Sequence, residues 1–198
     1  MDDNVVLVRF ADQSKAYQAL STLKDIGADG RLEVRSAVLL ERGPDGTIRV
    51  PEGADNATGF LLASGGLLGM LVGVLGGPLG MLLGGYAGML GGATGAALRD
   101  VDTDVALDSI SKDIAPGQTV LVAEVGEVAD EVLDKAMTNL GGTVTRRPAS
   151  DVYDEIQSAE NAQQAADQEA RRVLREQRRA EHKQKWQQFK DKIKSALS

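Results

Sequence analysis

The chain has 198 residues, room for one ordinary domain with an appendage, and a formal net charge of -7. That acidity argues against nucleic acid as a partner of the whole protein. There is no cysteine, which excludes disulfides, zinc–thiolate sites and thiol catalysis.

The start, Met1-Asp2-Asp3-Asn4, is acidic and runs directly into a strand-like segment. A secretory signal begins with basic residues and then an apolar stretch, so a cytoplasmic start is expected. Val5, Val6, Leu7 and Val8 form a β-branched apolar run of the kind found in strands covered on both faces. Asp12 or Ser14 is placed to cap a helix in which Ala16, Ala19, Leu20 and Leu23 recur at helical spacing, with Gly27 and Gly30 expected to end it. Ala37, Val38, Leu39 and Leu40 predict a second strand. Gly43-Pro44-Asp45-Gly46 then predicts a turn into Thr47, Ile48, Arg49 and Val50, making a hairpin. Residues 1–55 read as the first half of an α+β domain.

Residues 56–98 carry no charged side chain across 43 consecutive positions. Gly76-Gly77-Pro78 divides them into two arms, each about 30 Å long if helical, which is the thickness of a bilayer core. The glycines are ordered. Gly65, Gly69, Gly73 and Gly77 follow a four-residue step in the first arm, and Gly76, Gly80, Gly84, Gly88 and Gly92 continue it across the turn and second arm. A four-residue step forms one ridge on a helix, and a ridge without side chains admits another backbone at close range. Fourteen glycines lie between Gly59 and Gly95. Their helix penalty is on the order of 10 kcal/mol, so close packing must compensate for it. Residues 56–99 therefore read as an inserted glycine-zipper helical hairpin, held in a membrane or in the core of an oligomer. A disordered linker would use serine and polar residues in place of the Leu, Met and Val found here. Cations are scarce at the hairpin's flanks, so no positive-inside signal accompanies it.

Residues 100–148 return to mixed chemistry and read as the second half of the α+β domain. Leu107, Ile110 and Ile114 mark a short helix stopped by Pro116-Gly117. Thr119, Val120, Leu121 and Val122 mark a strand. Val128, Val132, Leu133, Met137 and Leu140 mark a helix stopped by Gly141-Gly142, and Thr143-Val144-Thr145 a last strand. The second half repeats the first in outline. Together they predict a ferredoxin-like split βαβ sandwich, with the strand of Val6 and Leu7 in the same sheet as that of Val120 and Leu121, and with a hairpin that can be removed.

Residues 149–198 have no glycine or proline and predict one long helix, as in a coiled coil or an extended arm. Residues 171–194 hold ten Lys or Arg and three Asp or Glu, a local +7 that leaves -14 on the rest. The candidate contacts for an anionic lipid surface or an acidic neighbouring subunit are Arg171, Arg172, Arg175, Arg178, Arg179, Lys183, Lys185 and Lys190. Trp186, Phe189 and Ile193 add a thin apolar stripe.

No catalytic, metal or cofactor-binding residues are singled out. The glycine clusters lack the Gly-Lys-Ser/Thr of a phosphate loop, and Asp100-Val101-Asp102-Thr103-Asp104 lacks the glycine and terminal Glu of a calcium loop. His182, the one histidine, sits in a charged run and reads as solvated, and Arg146-Arg147 reads as a solvated strand end.

The run from Gly65-Gly66-Leu67-Leu68-Gly69 to Gly84-Gly85-Tyr86-Ala87-Gly88, set between two βαβ-type halves, resembles a family of small bacterial proteins of unknown function often labelled predicted membrane proteins. The resemblance covers residues 4–148 and implies no activity. The leading expectation is a non-catalytic homo-oligomer, structural or stress-related, bound to the cytoplasmic membrane through the hairpin. The alternatives are a soluble cytoplasmic ring or filament that buries the hairpins, and a ferredoxin-like small-ligand sensor.

Overall fold

The structure, a computed structural model, describes residues 2–51, 66–77 and 106–196. The chain divides into two compact units, Met1–Ala159 and Glu160–Ser198. In the first, β1 (Asp2–Arg9), α1 (Gln13–Ala28), β2 (Glu33–Arg42) and β3 (Ile48–Arg49) precede α2 (Leu67–Gly76). Then follow α3 (Ala106–Asp113), β4 (Thr119–Glu127), α4 (Glu131–Asn139), β5 (Thr143–Pro148) and the start of α5 (Ala149–Ala196). This is an α+β arrangement around one antiparallel five-stranded sheet of order β3-β2-β4-β1-β5. Leu7 pairs with Val122 and Val8 with Leu121, so the two valine-rich runs lie side by side as the sequence predicts.

Side chains alternate across a strand, so these central runs send apolar groups to both faces. On one face Val6, Val8, Leu39, Leu121 and Val125 meet Ala16, Leu20 and Leu23 of α1 and Leu133 and Met137 of α4. On the other, Val5, Leu7, Val38, Leu40, Val120 and Val122 also need cover. It comes from α2, from Leu107 and Ile110 of α3, and from Val152 and Ile156 of α5. Leu67, Leu68, Leu71, Val74 and Leu75 follow the spacing of one helical face, and all five are buried.

The local signals are realised closely. Asp12 is the N-cap of α1 and accepts from the Ser14 backbone N–H at 2.9 Å. Gly30, Gly117 and Gly141 adopt φ values of 68°, 73° and 79°, the left-handed region that ends a helix or turns the chain. Gly46, at φ 83°, closes the turn before β3, where Asp45 accepts from Thr47. Three expectations need correction. Gly27 lies inside α1, where an added Cβ would stand 3.0 Å from Val34 Cγ2, so its role is close approach to β2. Val128 is 89% exposed ahead of α4, outside the apolar stripe assigned to it. The third is the separable hairpin.

Among the described residues no helix is long and apolar enough to cross a membrane. The described part of the uncharged segment is a ten-residue helix, about 15 Å long, with its apolar face on the sheet. A segment that covers the sheet is not a removable insertion. Leu71→Ala and Leu75→Ala are each expected to destabilise the body by about 2–5 kcal/mol, read from the denaturation midpoint. Unchanged midpoints would place α2 outside the core.

Candidate interaction surfaces

The chain spends its best-placed charged groups on itself. Glu127, at the end of β4, is 3% exposed. Its carboxylate accepts from Arg146 Nε at 2.9 Å, from Arg146 Nη2 at 3.0 Å and from Asn4 Nδ2 at 3.0 Å. Arg146 also stands 2.7 Å from Asp134 Oδ1, which joins β5 and α4 to β4. Burial alone would lower the Arg146 pKa, but its bonds to Glu127 and Asp134, and their charges, outweigh that and raise it. The expectation of a solvated strand end is thus corrected. Arg146 is a half-buried clamp, and Arg147 donates to Ser109 Oγ at 2.8 Å.

α3 is gripped at both ends. Glu155 of α5 accepts from the backbone N–H groups of Ala106 at 2.7 Å and Leu107 at 2.8 Å. At the other end the buried Arg42 donates to Ile114 O at 2.7 Å, Ser111 O at 2.6 Å, Ser111 Oγ at 2.9 Å and Gly46 O at 2.9 Å. A carboxylate at the N-terminus and a guanidinium at the C-terminus match the helix dipole. The two side chains thus fix this eight-residue helix against the body.

An open groove of about 870 Å³ runs beside this network, lined by Asp3, Asn4, Glu124, Asp130, Tyr153 and Asp154 among others. Its lining is acidic. Arg146, the cation at its wall, is already engaged by Glu127 and Asp134. Among the described residues no three His, Cys, Asp or Glu side chains are grouped to hold a metal ion.

The predicted zipper positions separate in the structure. Gly69 and Gly73 face away from the buried stripe of α2, and a Cβ at either would meet nothing within 4 Å among the described residues. Gly76 is different, since its Cβ would lie 2.9 Å from Ile48 O, so it permits close approach to β3. At Gly77 the nearest atom is Gly73 O at 3.0 Å. Gly65, Gly80, Gly84, Gly88 and Gly92 lie outside the described residues.

Within the second unit, α5 is exposed along nearly all of residues 160–179. Arg171, Arg172, Arg175, Arg178, Arg179, Lys185 and Trp186 are all exposed, the indole at 59%. Val173 and Leu174 are exposed at 41% and 53%. The side chains of Lys183, Phe189, Lys190 and Ile193 lie outside the described residues.

No family model, curated protein or solved structure matches the chain. The resemblance drawn from the glycine run therefore rests on the residues alone.

Two substitutions separate these roles. Gly73→Ala fills open space and removes a glycine from a helix, so it should stabilise the body by up to about 1 kcal/mol. Glu127→Gln takes the buried carboxylate from the half-buried Arg146, which keeps Asp134, and should cost about 1.5–3 kcal/mol. Both are read from denaturant midpoints. A loss of stability at Gly73→Ala would reveal a close neighbour on that face.

Proposed function

We propose that the chain is a non-catalytic, self-associating protein, structural or stress-related in role, whose body is a ferredoxin-like split βαβ sandwich. The strand order supports the fold. β4 lies between β1 and β2, and β1 lies between β4 and β5, so the units β1-α1-β2 and β4-α4-β5 interleave. The departures are the fifth strand, β3, at the sheet edge and the cover on both faces of the sheet.

The observation that carries self-association is the length of exposed helix in α5. A helix of mixed polar residues in water draws little stability from propensity alone and depends on packing. Past Ala159, α5 presents Val173 and Leu174 to solvent, and among the described residues of that stretch no apolar side chain is buried. A second chain supplies the missing cover. The open face of Gly69 and Gly73 on α2 is a further surface that admits another backbone.

For the uncharged segment an oligomer core is favoured over a bilayer, because α2 already lays five apolar side chains on the sheet. The test is the mass of the full chain in detergent-free buffer, by sedimentation or light scattering. A species of two or more chains is expected. A single-chain mass over a hundredfold concentration range, or material recovered only in detergent, would overturn the proposal.

A further inference from the structure

Building on the self-association just proposed, we infer that α5 pairs antiparallel with α5 of a second copy, about a two-fold axis near residues 171 and 172. Three observations converge on this arrangement.

The first is the charge order along the helix. Residues 149–170 contain six Asp or Glu and no Lys or Arg, whereas residues 171–194 contain ten Lys or Arg and three Asp or Glu. The two stretches are 22 and 24 residues long, or about 33 and 36 Å of helix. A parallel pair would lay +7 on +7. Within the second unit residues 160–170 hold three Asp or Glu and no cation, and an antiparallel pair lays them against residues 173–183, which carry +2, at a helix–helix separation near one screening length, about 8 Å at physiological salt. The opposed helix dipoles act in the same direction.

The second is a seam. Val152, Ile156 and Ala159 lie on the face of α5 that the body covers. The same alternation of four and three residues continues through Gln163, Ala166, Ala170, Val173 and Gln177, now outside the core. A sustained four-three alternation is the heptad pattern of paired helices. Alanine at these positions allows a close approach, and the glutamines cost stability but restrict register, as a polar seam residue does.

The third is that charge and seam agree on register. The charge changes sign between Ala170 and Arg171. Alignment of the seam about the nearest two-fold places Ala170 opposite Val173 of the second copy and Ala166 opposite its Gln177. Leu174, half exposed in one chain, then flanks the contact. The interface is isologous, each copy using the same residues in opposite order.

The absence of cysteine makes the test direct. Ala166→Cys and Gln177→Cys fall at exposed positions. They are eleven residues apart, or about 16 Å along a helix, beyond the roughly 7 Å that a disulfide spans. In the full-length chain, co-expressed single-cysteine variants should form the mixed 166–177 disulfide at least about tenfold over either self-linked dimer, since only the mixed pair comes within that reach. Self-linking by each variant alone would show a parallel pair and overturn the inference. No linking in any combination would overturn it as well, and the mass of the unmodified chain then decides the wider reading. A multimer leaves self-association standing without the helix pair, whereas a monomer removes both. A monomer that binds phosphatidylserine vesicles through residues 171–194 would make a lipid surface the occupant of this helix instead.

Discussion

The body is organised by one requirement, the covering of a sheet that is apolar on both sides. β1 and β4 lie in the middle of five strands, and their runs of Val and Leu cannot be turned to place polar groups on either face. One face is served by α1 and α4, as two βαβ-type units supply it. The other needs helices from elsewhere in the chain. That need recruits α2 from the uncharged segment, α3 and the first turns of α5. A side chain such as Leu71 or Leu75, fully buried here, gains about 1.5–3 kcal/mol by leaving water.

The glycine run takes on a different meaning in that setting. Read as a sequence, its four-residue step describes one homogeneous packing ridge. In the described portion the step divides into two tasks. The leucines between the glycines form the inward face, Gly76 admits the backbone of β3, and Gly69 and Gly73 lie on the outer side, away from every other described residue that an added Cβ could meet. The same ten residues thus serve the core with one face and carry glycine on the other.

The sequence made the strands, turns and helix ends legible because those signals are local. Asp12, the left-handed glycines and the alternating valines each act within a few residues of themselves. The pairing of β1 with β4 followed from two similar apolar runs. What stayed hidden depended on partners far along the chain. Arg146 reads as an exposed strand end until Glu127 and Asp134 are placed beside it, and nothing in the sequence marks Arg42 as reaching Ile114 and Ser111. The location of α2 was hidden for a related reason. An apolar helical stripe has the same spacing whether lipid, a second chain or its own sheet covers it. The candidate contacts on α5 were legible as charge and stripe, but their opposite ordering along one helix gains meaning only when residues 149–196 form a single element.

Hydrogen exchange of the full chain in detergent-free buffer tests the place of α2 in the core most directly. The account predicts that the backbone amides of residues 71–75 exchange as slowly as those of β4, in one cooperative unit with the sheet. Amides in α2 that exchange orders of magnitude faster than β4, or that become protected only when lipid is added, would contradict it.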